Sequence, residues 1–275
     1  MRINTNINSM KTQEYMRQNQ AKMDKAMNRL SSGKRINSAA DDAAGLAIAT
    51  RMRAKESGLG VASRNTQDGI SMIQTAESAL NSVSNILVRM RDLAVQAANG
   101  TNGASDTAAL QGEFAQLSTQ IGYIKDNTEF NGAKLLDGSA GTAGMVSIQT
   151  YDGDTAGQQI QIDLTKADLS TLSTNVAALD ISTGALAAIT ALDTAINTVA
   201  TGRADLGATL NRLDYNINNI NSEATNMAAS ASQIEDADMA KEMSEMTKYK
   251  ILSEAGISML SQANQSAQAV NKLLQ

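Results

Sequence analysis

The sequence predicts a mainly α protein, a long antiparallel coiled-coil-like helical rod with a small β-hairpin region. The first ground is the stretch 189–234. Ile189, Leu192, Ile196, Val199, Arg203, Leu206, Leu210, Leu213, Ile217, Ile220, Ala224, Met227, Ala231 and Ile234 are spaced alternately three and four apart, and only Arg203 is not apolar. Such spacing is a heptad seam, and at 1.5 Å per residue its helix would be roughly 70 Å long, too long for a compact domain of this size. The second ground is a matching seam at Ile73, Ala76, Leu80, Val83, Leu87, Met90, Ala94 and Ala97. One apolar stripe has to bury itself against another. The third is composition: proline and tryptophan are absent and aromatic residues make up 3% of the chain, where average usage would supply on the order of a dozen prolines. Long uninterrupted helices are therefore permitted nearly everywhere, and slender seams suit the chain better than one thick core.

A first helix is expected over residues 3–31, with Ile3, Ile7 and Met10 in one phase and Met16, Met23, Met27 and Leu30 in a slightly shifted one. Gly33 sits where a C-cap glycine belongs, and Ser38, Asp41 and Asp42 sit where the next helix wants its N-cap and first-turn acids. Helix over 43–56 then meets Gly58 and Gly60. Each costs about 1 kcal/mol in a helix interior, so a kink or break is expected there. Gly100 and Gly103 close the second seam, and Leu110, Phe114, Leu117, Ile121 and Ile124 mark a third helix able to bury the other two.

Residues 127–132 and Asp137-Gly138 carry turn chemistry, while 146–151 and 159–164 alternate at period two around Tyr151-Asp152-Gly153-Asp154, predicting a β-hairpin at about 145–165. Asp152 and Asp154 lack the acid spacing and closing Glu of an EF-hand, which leaves a plain turn. A last helix restarts near 234–240. Its seam runs Tyr249, Leu252, Gly256, Met259, Ala263, Ser266, Val270, Leu273, again three-four. Small residues on that seam let backbones approach closely but release little hydrophobic energy when only two helices meet.

Cysteine and histidine are both absent, which removes disulfides, thiolate metal sites, the usual neutral-pH general base and the commonest metal ligand. No enzymatic or cofactor chemistry is expected. A net charge of −5 with scattered Lys and Arg argues against nucleic-acid and anionic-membrane partners. No apolar run approaches a membrane span, and the opening residues lack a signal-peptide apolar region.

The stretch 30–48, Leu-Ser-Ser-Gly-Lys-Arg-Ile-Asn-Ser-Ala-Ala-Asp-Asp-Ala-Ala-Gly-Leu-Ala-Ile, resembles the signature of bacterial flagellin. So do Ile3-Asn4-Thr5-Asn6, Thr128-Glu129-Phe130-Asn131-Gly132, Asn211-Arg212-Leu213-Asp214 and Gln262-Ala263-Asn264-Gln265 before Leu273-Leu274. At this length the chain looks like a short flagellin, with no room between 127 and 185 for large variable outer domains. The resemblance implies a structural subunit that self-assembles into the flagellar filament. A hook-filament junction protein and a coiled-coil surface adhesin are the alternatives. The zinc peptidase that some flagellins carry needs His-Glu-x-x-His, which a chain without histidine cannot supply.

The family implies a division into terminal helices with their connecting loop, residues 1–42 plus 235–275, forming the filament inner tube, and a rod domain at 43–234. Ile3, Ile7, Met10, Leu252, Gly256, Met259, Ala263, Val270 and Leu273 are expected at subunit contacts, and Gly33, Arg35, Asn37, Asp41 and Asp42 in the loop between layers. The implied partners are further copies of itself, an export chaperone and the flagellar type III export apparatus, and the filament cap and hook-junction proteins. The implied location is extracellular, reached without a cleaved signal peptide. Arg89, Leu93 and Gln96 form a second stripe beside the 73–97 seam. Spacing alone assigns Leu93 to packing against a third helix. By resemblance, however, residues 89–96 look like the family segment read by animal Toll-like receptor 5, with Glu113 as the acidic member of that site.

Overall fold

The computed structural model describes residues 6–153 and 156–273, with Ala156 and the last seven as backbone only. In chain order the elements are α1 (Ile7–Ser32), α2 (Ala43–Ala97), α3 (Ala104–Asn127), β1 (Glu129–Phe130), β2 (Ala133–Lys134), β3 (Met145–Gln149), β4 (Gln159–Asp163), α4 (Ser170–Ala177), α5 (Ala185–Glu235) and α6 (Met239–Leu273). The chain is mainly α with a small β region, as the periodicities predict. It divides into two compact units, one of residues 1–54 with 226–275 and one of 55–225. The divisions fall inside α2 and α5 rather than at their ends.

In the 55–225 unit the seams do what their spacing requires. On α2, Ile73, Ala76, Leu80, Val83, Leu87, Met90 and Ala94 are all completely buried. On α5, Leu192, Val199, Leu206, Leu213 and Ile220 are each at most 2% exposed, and the residues between them in the seam are half-buried. The two helices run antiparallel, tied at their edges by Arg91 to Asp193 at 2.6 Å, Arg203 to Glu77 at 2.8 Å and Lys55 to Glu223 at 3.0 Å. Arg203, the polar member of the long seam, reaches across to the partner helix. Phe114 and Ile121 of α3 close the same core.

The hairpin forms as expected: β3 and β4 pair antiparallel, with Val146 opposite Ile162 and Ile148 opposite Ile160. These alternate residues face the helices, and a side chain on Gly69 of α2 would press on Ile148. Two elements go beyond the sequence reading. At 129–134, β1 and β2 form a hairpin with a two-residue turn at Asn131 (φ 50°) and Gly132 (φ 77°), the paired positive angles of a type I′ turn. The short α4 buries Leu172 and Val176.

One expectation is corrected. The helix does not break at Gly58 and Gly60, because α2 continues through both. Their penalty of about 1 kcal/mol each is outweighed by Leu59, fully buried between them, since burying a leucine contributes about 1.5–3 kcal/mol. Gly58 has a local reason as well: an added Cβ would lie 2.4–2.5 Å from the Asp152 carboxylate in the β3–β4 loop. That loop is anchored by Tyr151, whose hydroxyl donates to Glu223 at 2.5 Å beneath Lys55.

Glycines in α2 and α5 give opposed expected outcomes. Around Gly60 a Cβ finds open space, whereas at Gly202 it would meet the Lys166 carbonyl oxygen at 2.6 Å. Gly60→Ala should raise unfolding free energy by up to about 1 kcal/mol. Gly202→Ala should lower it by about 1–2 kcal/mol despite the helix-propensity gain, because backbone cannot move aside cheaply. Urea unfolding of both variants checks the pair.

Candidate subunit interface on the terminal helices

The second unit is built on α1 and α6, which pack antiparallel. Asn6 caps α1 by accepting the Ser9 N–H at 3.1 Å, and its amide donates to the Ala263 carbonyl at 3.0 Å. Further along, Met16 sits over Gly256, where a Cβ would come within 2.8 Å of Met16 Cγ. Lys22 Nζ lies 5.6 Å from the Tyr249 ring centre, and Arg29 meets Glu242 at 3.2 Å. The facing row of α1 is Ser9, Thr12, Met16, Asn19, Met23, Ala26 and Leu30, nearly half of it polar.

The row on α6 that α1 covers is not the one the sequence predicts. Tyr249, Gly256 and Ala263 are half-buried as expected, but the residues between them are Ser253 and Leu260, while Leu252 and Met259 are 41% and 62% exposed and Ser266 is exposed. Both rows have three-four spacing and share their seventh positions. The choice between them is set by the side from which α1 approaches, which period alone does not contain. On α1, likewise, Ile7, Met10 and Met27 point outward. Ile3 and the side chains of Val270 and Leu273 lie outside the described residues.

The loop residues form a compact knot. Gly33 ends α1 in the left-handed conformation (φ 71°) and its carbonyl accepts the Ala237 N–H at 2.9 Å. The Arg35 N–H donates to the Glu235 carbonyl and its guanidinium to that of Ile234. Lys34 and Arg53 approach the buried Glu235 carboxylate at 2.9 and 3.6 Å. Asp42 is the N-cap of α2, accepting the Gly45 N–H at 2.9 Å over a buried Ile36. Asp41 is not a first-turn acid. It folds back to accept the Asn37 and Ser38 N–H groups and pairs with Lys25 at 2.6 Å. Asn37 in turn donates to the Asn28 carbonyl. Glu235 and Glu242 are too enclosed to lose their cations without leaving a buried charge, a loss of about 3–5 kcal/mol.

The four residues of the expected receptor site lie in the other unit. Arg89 and Glu113 pair at 2.8 Å across α2 and α3 and remain about half exposed, and Gln96 is exposed. Leu93 is completely buried in the core, so the packing role read from spacing is the one it fills. Another molecule could not touch it without opening that core.

The knot carries a pH signature. Lys25, with the Asn37 N–H, holds the Asp41 carboxyl down to about 2 from an ordinary 3.8. A depressed acid stabilises fully above its unfolded value and loses that contribution as pH falls through its folded one. Amide protection in residues 33–42, relative to the intrinsic exchange rate at each pH, should therefore hold down to about pH 4 and fall between there and pH 2. Asp41→Asn should exchange faster at neutral pH and lose most of that acid step.

Residues 3–141 match the family model of the bacterial flagellin N-terminal helical region, and 189–274 match that of the bacterial flagellin C-terminal helical region. The chain is 51% identical over 276 residues to a flagellin of Halalkalibacterium halodurans, covering 100% of both. It is 50% identical over 292 residues to one from Listeria monocytogenes, covering 100% of this chain and 99% of the other. Among solved structures it resembles Bacillus cereus flagellin with a TM-score of 0.51 and 44% identity, over 61% of this chain and 94% of that one. By these matches the chain belongs to the bacterial flagellin family, as a structural subunit of the extracellular flagellar filament and not an enzyme.

Proposed function

We propose that this flagellin polymerises through the outer faces of α1 and α6, which form the inner layer of the filament. The observation that carries this is the outward set Ile7, Met10, Leu252 and Met259, left exposed by the pairing of the two helices. Each such side chain contributes about 1.5–3 kcal/mol when buried, and a helical polymer repeats the gain at every subunit. Gly256 and Ala263 serve the interface indirectly by letting α1 lie close. The knot at 33–42 and 234–237 holds the two helices in fixed register. Export by the flagellar type III apparatus with its chaperone, and meeting of the cap and hook-junction proteins, belong to the same reading. It is supported by the family.

A second reading concerns Toll-like receptor 5. Its support is the exposed Arg89–Glu113 pair with Gln96 nearby on one face, Leu93 acting from beneath as core. Arg89→Ala with Glu113→Ala should reduce activation of receptor-bearing cells by the monomer while leaving its unfolding transition within about 0.5–1 kcal/mol of the parent. Undiminished activation would contradict it.

For the filament, Leu252→Glu with Met259→Glu should abolish polymers seen by electron microscopy after seeding. The unfolding transition of the 55–225 core should stay in place, since both residues belong to the other unit. Filaments of normal length and diameter from this variant would overturn the assignment. In the isolated subunit, α1 and α6 should also be cleaved by protease well before α2 and α5, because only Ser9 and Ala26 of α1 are buried.

A further inference from the structure

The chain contains three Asn-Gly dipeptides, Asn99-Gly100, Asn102-Gly103 and Asn131-Gly132. Asn-Gly is the pair most prone to internal cyclisation, because glycine leaves its own amide nitrogen unhindered. The structure treats the three differently. We propose that Asn99 is a site of spontaneous deamidation in the α2–α3 connection and that the other two are protected.

The reaction needs three things: a free Gly amide, an Asn side chain able to approach it, and a backbone that can bend into a five-membered ring. Asn99 and Gly100 are both exposed, and a Cβ built on Gly100 meets nothing within 4 Å. Among the described residues the Gly100 N–H has no hydrogen-bond acceptor. The Asn99 side-chain oxygen accepts the Thr101 N–H at 3.4 Å. That donor polarises the carbonyl under attack and stabilises the oxyanion that forms.

At Asn102 the first two requirements fail. Its side-chain nitrogen, the leaving group, is held by the Gln96 carbonyl at 2.6 Å. The Gly103 N–H that must attack donates instead to Asp106 Oδ2 at 3.0 Å. A carboxylate on that amide also opposes loss of its proton. Asn131-Gly132 is pinned by the type I′ turn, with Phe130 and Ala133 paired on either side, so bending the backbone into the ring would break the hairpin.

In the step, the Gly100 amide nitrogen loses its proton and bonds to Asn99 Cγ. The side-chain nitrogen leaves as ammonia, giving a succinimide. Water then opens the ring at either carbonyl. One opening gives aspartate and the other a β-linked isoaspartate, and both add one negative charge to the turn.

The full-length protein, held in mildly alkaline buffer and sampled over weeks, would be digested and its peptides scored by mass spectrometry for acid and isoaspartate at each site. Asn99 should convert at least about tenfold faster than Asn102 or Asn131. Gly100→Ala should suppress conversion at Asn99, and its open surroundings let the variant fold. Asp106→Ala should accelerate Asn102 and leave Asn131 unchanged. Similar rates at the three sites, a faster site than Asn99, or no conversion at Asn99 would each overturn the proposal.

Discussion

Leu192, Val199, Leu206, Leu213 and Ile220 come round on every seventh residue of α5, and none is more than 2% exposed. Opposite them Ile73, Leu80, Leu87 and Ala94 do the same on α2. This recurrence requires two uninterrupted helices lying side by side, and the other parts of the 55–225 unit are arranged around it. The third helix caps the seam with Phe114 and Ile121, and the hairpin lays Ile148 and Ile162 across the gap left by Gly69. Two glycines of the long helices make room for close neighbours, Gly58 for the Asp152 carboxylate and Gly202 for the Lys166 backbone.

The terminal unit obeys the same spacing with the opposite outcome. Its shared row is mixed, with Ser9, Thr12, Asn19 and Ser253 polar, Gly256 small and Met16, Met23, Leu30 and Leu260 apolar, so pairing brings α1 and α6 near while leaving Ile7, Met10, Leu252 and Met259 outside. Specificity in that pairing comes from polar contacts: Asn6 to Ala263 at one end, and Arg29, Glu242 and the Gly33–Ala237 bond at the other. A pair of helices set in register by hydrogen bonds and left sticky on the outside is well suited to completing its burial against copies of itself.

Much of this was legible in the residues. Seams of three-four spacing located α2, α3 and α5, and Gly33 and Asp42 marked caps that the structure contains. The β3–β4 hairpin followed from alternation. What escaped had physical causes. Two-residue strands are too short for alternation to register, although Asn131-Gly132 is the dipeptide of a type I′ turn. Gly58 and Gly60 predict a break on local propensity, which does not contain the burial of Leu59. The covered row of α6 was displaced by one residue at 252 and 259 because the heptad fixes which positions recur and leaves open the side on which a partner lies. Leu93, by contrast, was assigned by spacing to the core it occupies, while the family resemblance pointed outward.

Oxidative footprinting of methionines in free subunits and in assembled filaments distinguishes the outer rows of α1 and α6 from the paired ones, since the chain carries methionines on both. Met10, Met27, Met243 and Met259 are exposed in the subunit, and Met16 and Met23 are covered by the pairing of α1 with α6. The first four should become strongly protected on assembly while the last two change little. Equal oxidation of Met10 and Met259 in subunit and filament would contradict it.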